Sequence, residues 1–286
     1  MTRVLGTRGS RLALAQADWV ARRLDEPVEI RAIRTAGDGT EAPLAALGDG
    51  VFVTAIEQAL VRGEIDLAVH SLKDLPTDER RELVIAAIPE REDPRDVLIT
   101  AGRRGLDSLP ARARVGTSSP RRAAFIRALV GDVETVEIRG NVETRMRKVA
   151  EGRYDATVLA LAGLHRLGVP VDPSEILTLV QCPPAPGQGA LAVQCRRDDR
   201  DLAERLARLD DRPTRLAVAA ERALLRELGA TCALALGAHG HLDGPELVLD
   251  AMLATPAGPI RTSVRGTDPV TLGARAAERL RGSAHA

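Results

Sequence analysis

Aromatic side chains are nearly absent from this chain. Of its 286 residues, one is Trp, one is Tyr and two are Phe, too few for the rows of stacked rings on which single-stranded nucleic acids bind. The chain also has no excess of charge of either sign, because 40 Lys and Arg are balanced by 40 Asp and Glu. No net field would therefore attract a phosphate backbone or an anionic bilayer, and neither nucleic acid nor membrane is an expected partner.

Cysteine and long apolar runs are scarce as well. Cys182, Cys195 and Cys232 are widely spaced and form neither a CxxC pair nor a disulfide framework. The five histidines show no ligand spacing, so no metal is expected. The N-terminal residues lack the apolar stretch of a signal peptide, and no run is long enough to span a bilayer. These absences predict a cytoplasmic protein.

The sequence does contain strand-to-helix corners rich in arginine. The segment GTSSPRR, residues 116–122, follows an apolar strand and precedes a helix predicted over 120–130, with a serine cap and a proline in the first turn. Backbone N–H groups and the positive end of the helix dipole meet at such a corner, which suits an anion. Arg121 and Arg122 add guanidinium groups, which bind carboxylates as a planar fork.

Two other corners repeat this chemistry. Arg8 and Arg11 flank the corner at the start of a helix predicted over 10–24, and the segment IRGNVETR places Arg139 and Arg145 around a glycine. Any one corner is explained as well by solvated arginines on a helix face. Several together favour a cleft that binds a ligand with many anionic groups.

A lysine and a carboxylate follow a third predicted strand. The segment HSLKDLP comes directly after the strand predicted over 65–70 and contains Lys73 and Asp74. An ordinary polar turn ended by proline explains this pattern equally well. The functional alternative is a lone carboxylate among cations, which would stay ionised and stabilise positive charge that develops on a substrate.

A weak internal repeat in the sequence predicts the fold. The segment 63–75 aligns with 152–164 at an offset of 89, and 5–11 aligns with 115–121 at an offset of 110. We therefore predict an α/β protein with two similar lobes of mainly parallel sheet around a hinged cleft, resembling periplasmic binding proteins, plus a small third α+β domain. The predicted division is 1–90 with 190–208 for lobe 1, 95–183 for lobe 2 and 212–286 for domain 3.

Cys232 follows the long helix predicted over 214–228, in a loop bordered by glycines. A buried, inert thiol is one explanation and a covalent attachment point is the other. The local sequence leaves both open.

Taken together, these segments resemble the porphobilinogen deaminase family, also called hydroxymethylbilane synthases. The similarity extends from the N-terminus to about residue 240, and its most specific parts are HSLKDLP, GTSSPRR and RGNVETR. The resemblance implies a transferase that joins four porphobilinogen molecules head to tail, with loss of ammonia, into 1-hydroxymethylbilane. It also implies a dipyrromethane cofactor held by a thioether to a cysteine, and we expect a monomer.

The resemblance assigns roles to individual residues. Asp74 corresponds to the catalytic carboxylate. The residues that correspond to cofactor-binding positions are Cys232, Lys73, Ser119, Arg121, Arg122 and Arg145. Those that correspond to substrate-binding positions are Arg8, Ser10, Arg139, Arg166, Phe52 and Gln188, of which Gln188 resembles the hinge glutamine of the family.

The chain departs from the family pattern at two loops. The mobile lid corresponds to 37–52 and has Asp49 where a lysine is common, and Thr54 stands where another lysine is often found. The cysteine loop contains Ala230 and Thr231 in place of two glycines, and Ala235 in place of a proline. Two alternatives therefore stay open: a family member with reduced or lost activity, and a two-lobed protein that binds small anions.

Overall fold

The computed structural model describes residues 2–35, 50, 52–102, 105–172, 175–229 and 234–284. The chain divides into two compact units, Met1–Glu92 with Gly189–Arg215 and Asp93–Gln188 with Leu216–Ala286. None of the helices in the described ranges is both long enough and apolar enough to cross a bilayer.

In the described part of the first unit, five strands form one sheet in the order β2-β1-β3-β9-β4. Their bounds are β1 Arg3–Arg8, β2 Val28–Ile33, β3 Leu67–Ser71, β4 Leu83–Ala87 and β9 Leu191–Arg196. Strand β1 is parallel to its neighbours β2 and β3, whereas β9 is antiparallel to β3 and β4.

Helices cover both faces of this sheet. They are α1 Arg11–Ala21, α2 Thr54–Val61 and α6 Arg200–Leu206. Because successive strand residues point to opposite faces, Leu67 and Val69 pack in the core that includes Ala17 of α1, whereas Ala68 packs in the core that includes Ile56 of α2. Both faces of β3 are therefore buried, and only its carboxyl end is left to carry functional side chains.

In the second unit, the described residues form a four-stranded sheet in the order β5-β8-β6-β7 and a separate three-stranded sheet. The four-stranded sheet contains β5 Asp96–Thr100, β6 Ala113–Gly116, β7 Val133–Val136 and β8 Ala156–Ala160. Its helices are α3 Pro120–Val130, α4 Val142–Ala150 and α5 Leu161–Arg166. The core beneath α3 contains Phe125 and Ile126, which are fully buried.

Four strands of each larger sheet share one topology, and this similarity explains the internal repeat in the sequence. In each, one interior strand is parallel to the two strands that follow it in the unit, as β1 is to β2 and β3, and β6 is to β7 and β8. In each, the first strand after a crossing from the other unit is antiparallel to its neighbour, as β9 is to β3 and β5 is to β8, and the first sheet has β4 in addition. The prediction of two similar α/β lobes is confirmed.

The C-terminal residues form an antiparallel meander of β10 Leu236–Asp243, β11 Glu246–Thr255 and β12 Gly258–Gly266. Helices α7 Arg212–Glu227 and α8 Pro269–Ala284 share a core with this sheet. The two helices approach closely at Gly273, where a Cβ atom would lie 2.5 Å from the Ala223 Cβ. The predicted α+β character is confirmed, whereas the three-domain boundaries stay a prediction.

Candidate active site

Five of the residues singled out in the sequence line one pocket in the first unit. They are Arg8, Ser10, Phe52, Lys73 and Asp74, and the pocket has a volume of about 100 Å³. They come from separate segments of the chain, which the sheet brings together at the carboxyl ends of β1 and β3. This is the edge at which open α/β sheets bind ligands.

The corner after β1 is fixed by a helix cap. Ser10 precedes α1, and its Oγ accepts a hydrogen bond from the Ala13 N–H at 3.2 Å. The neighbouring Arg8 places its guanidinium carbon 3.9 Å from the centre of the Phe52 ring. A cation over an aromatic face is attracted by the quadrupole of the ring, so this contact orients the Arg8 charge at the pocket wall.

Asp74 is placed by a single turn of 3-10 helix, Leu72–Asp74, which follows β3 directly. Leu72 is buried, and its N–H donates to the Ala190 carbonyl at 3.0 Å. The turn closes with the Leu75 N–H donating to the Leu72 carbonyl at 3.1 Å. Lys73 and Asp74 therefore lie on a backbone turn held by the core, and their functional roles stay a prediction.

The pocket also contains polar residues that the sequence analysis did not single out. Gln16 is buried on α1 and exchanges hydrogen bonds with the Ser71 hydroxyl at 3.0 and 3.2 Å. His70 is 5% exposed, and burial lowers its pKa to about 4, although hydrogen bonding with the Gln194 side chain opposes the shift. A neutral imidazole therefore lies in the wall of the pocket at physiological pH.

The arginines of the GTSSPRR corner lie in the second unit and are buried. Ser119 caps α3 and accepts from the Arg122 N–H at 3.4 Å. Arg121 and Arg122 are 4% and 8% exposed, and both form ion pairs with Asp96, at 2.6 and 2.7 Å. Burial alone would raise the pKa of the Asp96 carboxyl, but the two guanidinium groups lower it well below its usual value.

Further cations lie close to this pair. Asn141 caps α4 by accepting from the Thr144 N–H at 2.9 Å, and this helix carries Arg145. Burial lowers the pKa of Arg145 to about 10, and the neighbouring charges of Arg122 and Arg139 add to the shift. Mutually repelling guanidinium groups in a partly buried place would be stabilised by an anion, which is the chemistry that the sequence predicted for these corners.

Arg166 and Gln188 differ in their surroundings. Arg166 is the last residue of α5 and is half-buried. Gln188 is 1% exposed, and its Nε2 donates to the Pro94 carbonyl at 2.7 Å and to Asp96 Oδ1 at 2.9 Å. Gln188 thus ties the end of its own segment to the segment around Asp96, and its role as a hinge residue stays a prediction.

Several predictions fall on residues outside the described ranges. These are Cys232 with Ala230 and Thr231, and Asp49 with most of the segment that corresponds to the lid. Thr54 is described, begins α2 and donates its hydroxyl to the Gly50 carbonyl at 3.0 Å. Cys182 and Cys195 are buried free thiols. Among the described residues, no group of three or more His, Cys, Asp or Glu could hold a metal ion.

Two protein-family models match the chain. One is described as porphobilinogen deaminase, dipyromethane cofactor binding domain, and covers residues 4–204. The other is described as porphobilinogen deaminase, C-terminal domain, and covers residues 215–282.

Curated proteins of the same name are similar over almost the whole chain. Porphobilinogen deaminase 1 of Streptomyces coelicolor is 49% identical, over 93% of this chain and 88% of that protein. Porphobilinogen deaminase of Roseiflexus is 46% identical, over 98% and 95%. The protein of that name from Brevibacillus brevis is 44% identical, over 96% and 93%.

Solved structures with similarity to the chain include binding proteins of transport systems. A periplasmic binding protein from Salmonella typhimurium matches 75% of this chain and 93% of its own, with 13% identity and a TM-score of 0.39. A probable amino-acid transporter binding protein from Bacillus subtilis matches 73% and 90%, with 11% identity and a TM-score of 0.41.

Proposed function

The chain belongs to the porphobilinogen deaminase family, and from this membership we propose how its residues divide the work of the reaction. The protein is a transferase of tetrapyrrole biosynthesis that polymerises porphobilinogen into hydroxymethylbilane and contains a dipyrromethane-binding domain. The observation that carries the residue assignment is the pocket in which Asp74 lies together with Arg8, Ser10, Phe52 and Lys73.

Asp74 is the catalytic carboxylate in this proposal. When ammonia leaves porphobilinogen, positive charge develops on the remaining pyrrole, and a carboxylate beside it lowers the energy of that state. A fixed group of this kind contributes about 3–4 kcal/mol when it is aimed at the developing charge. The backbone of Asp74 is held by Leu72 in the core, so its carboxylate needs little reorganisation.

Proton transfer falls to the same carboxylate. The pyrrole carbon that forms the new bond must lose its proton, and a base within hydrogen-bonding reach accelerates this loss. Asp74 borders the pocket, and in this proposal its carboxylate accepts the proton. His70 lies in the wall of the same pocket as a neutral imidazole, because burial lowers its pKa to about 4.

The arginines hold the acid side arms. Each porphobilinogen unit brings an acetate and a propionate, so a bound pyrrole chain presents many carboxylates. In the first unit this role falls to Arg8 together with Ser10 and Lys73. In the second unit it falls to a larger set: Ser119, Arg121, Arg122, Arg139, Arg145 and Arg166. The low pKa of Arg145 supports this assignment, because a carboxylate would relieve the repulsion from Arg122 and Arg139.

The dipyrromethane cofactor fits the same donors. It carries acid side arms of the same kind and supplies the free pyrrole carbon to which the first substrate is joined. We assign its thioether to Cys232, because this is the cysteine that matches the family position. Cys182 is unsuited to attack, since burial, followed by the nearby Asp96 charge, raises the pKa of its thiol to about 12.

The oligomeric state and the location in the cell stay predictions. We propose that the protein acts as a monomer and that it works in the cytoplasm. Light scattering of the purified protein measures the first, and fractionation of the producing cells measures the second. The cleft expected from the sequence also stays a prediction.

A turnover assay tests the proposed function. Purified protein incubated with porphobilinogen should release ammonia and form hydroxymethylbilane. Bound dipyrromethane, seen with the Ehrlich colour reaction, together with very slow turnover would favour the alternative of reduced activity. If the protein shows neither the colour reaction nor turnover, the proposal is contradicted and the small-anion-binding alternative is favoured.

A further inference from the structure

Asp96 is a buried carboxylate that the sequence analysis did not single out. It is the first residue of β5 and has no exposed surface. Its Oδ1 accepts from Arg122 Nη2 at 2.7 Å and from Gln188 Nε2 at 2.9 Å. Its Oδ2 accepts from Arg121 Nη2 at 2.6 Å and lies 3.5 Å from the Cys182 sulfur. One carboxylate thus binds both arginines of the GTSSPRR corner and the hinge glutamine.

The other terminal nitrogens of these arginines are also held by the protein. Arg121 Nη1 donates to the Pro183 carbonyl at 2.5 Å, and Arg122 Nη1 donates to the Val158 carbonyl at 3.0 Å. Each guanidinium is therefore fixed at both ends of its fork. A planar group held at two points cannot rotate, so its orientation toward any ligand is set before the ligand binds.

The cluster retains donors and positive charge. The Nε atoms of Arg121 and Arg122 are buried and have no hydrogen-bond partner within the described ranges, so each guanidinium keeps one N–H donor that these residues do not use. Two guanidinium charges also face one carboxylate, and the Cys182 thiol stays neutral because burial raises its pKa to about 12. Arg145 feels the excess charge as repulsion from Arg122.

We propose that Asp96 is a positioning residue of the carboxylate-binding site, which orients Arg121 and Arg122 toward the acid side arms of bound pyrroles and ties that orientation to the hinge segment through Gln188. The inference rests on the proposed function, because the ligands are the acid side arms of the pyrrole chain. It goes beyond that function by assigning a role to a residue that would itself repel those carboxylates if it were exposed.

The positioning role depends on the negative charge of Asp96. With two cations on one anion, the site keeps an excess positive charge for a ligand while the arginines stay ordered. Without the anion, the guanidinium groups would repel each other and lose their shared acceptor. An arginine released in this way would have to be reordered by each incoming carboxylate, which weakens binding.

The test compares Asp96→Asn with Asp93→Asn in the full-length protein. Asp93 lies three residues away and pairs with the partly exposed Arg95, so its variant controls for loss of a carboxylate in the same segment. For Asp96→Asn we expect reduced cofactor loading by intact mass and, for the loaded fraction, a KM for porphobilinogen raised by about 10- to 100-fold. The kcat of that fraction should change much less. Asp93→Asn should match the wild type.

A second variant separates position from charge. Asp96→Glu keeps the negative charge but moves the carboxylate by one methylene group, so a positioning role predicts a raised KM and lower loading even in folded protein. Wild-type KM and full loading in Asp96→Asn or in folded Asp96→Glu would overturn the inference. If neither variant folds, as judged by circular dichroism, Asp96 has only a structural role and the inference is also overturned.

Measuring the wild type in parallel shows whether a negative result contradicts the proposed function or only the role of Asp96. A wild type that neither carries the cofactor nor consumes porphobilinogen contradicts the proposed function. An active, loaded wild type beside unaffected Asp96 variants contradicts only the role of Asp96.

Discussion

Arg8 lies over the face of Phe52, with its guanidinium carbon 3.9 Å from the ring centre. Phe52 is one of two phenylalanines in the chain, and the other, Phe125, is fully buried in the core of the second unit. One of the two phenylalanine rings thus fills a core, whereas the other contacts a cation in the wall of the pocket.

Replacing Phe52 by Leu should weaken substrate binding. The variant keeps an apolar side chain but loses the attraction between the cation and the ring, which is worth about 0.5–1 kcal/mol. We expect KM for porphobilinogen to rise by about twofold to fivefold, with kcat nearly unchanged. Phe52→Tyr retains the ring and is the matched control. An unchanged KM in Phe52→Leu would remove Arg8 and Phe52 from substrate binding.

Asp74→Asn should abolish most of the activity without disturbing the fold. The amide has the same shape but carries no charge, so it can neither stabilise the developing cation nor accept a proton. We expect kcat to fall by about 100- to 1000-fold while the cofactor stays attached. The control is Asp78→Asn, which removes a carboxylate from an exposed position close in sequence. Near-normal turnover in Asp74→Asn would show that another group does the chemistry.

His70 should make the protein less stable in acid. Its folded-state pKa of about 4 lies below the value of about 6.5 expected for the unfolded chain. Between these two values the unfolded state binds more protons, so the free energy of unfolding decreases as the pH falls, by at most about 1.4 kcal/mol per pH unit from this group. Below about pH 4 both states are protonated and the loss is complete.

Urea unfolding of the wild type and His70→Asn at pH 7 and pH 5 measures this effect. The variant should lose less stability between the two pH values than the wild type does. His165→Asn, at an exposed position on α5, should retain the wild-type dependence. Equal pH dependence in all three proteins would contradict a buried, neutral His70.

Glu221 should stabilise the segment that contains Gly187. It has no exposed surface, and its oxygens accept from the Gly187 N–H at 2.6 Å and the Gly240 N–H at 2.7 Å. Glu221→Gln turns one acceptor into a donor that faces an N–H, so we expect a loss of about 2–3 kcal/mol in the free energy of unfolding. Glu227→Gln, exposed on the same helix, is the control. Surface substitutions usually change the free energy of unfolding by less than about 0.5 kcal/mol. A loss within that range in Glu221→Gln would contradict the buried contact.

The corners of the fold could be predicted because their signals are local. A serine or asparagine cap lies within three residues of the N–H that it accepts from, as Ser10, Ser119 and Asn141 do. Burial patterns also follow local periodicity, so the helix predicted over 120–130 agrees with Pro120–Val130. The helix predicted over 10–24 ends earlier, at Ala21.

The partners of the site residues could not be predicted, because they are distant in the chain. Gln16 meets Ser71 across 55 positions, and Asp96 meets Gln188 across 92. In the sequence Gln16 is one polar residue in an apolar helix face, and Asp96 is one acid among many. A polar residue at a position that the helical period marks as buried was the available signal for Gln16.

The intact mass of the purified protein tests the central claim most directly, that a pyrrole chain is assembled on a starter attached to the Cys232 sulfur. The wild type and Cys195→Ala, which removes a buried thiol in the core of the first unit, should both exceed their sequence masses by two pyrrole units. Cys232→Ser should have its sequence mass and should not turn over porphobilinogen. A wild type at its bare sequence mass, or an increment retained in Cys232→Ser, would contradict the account.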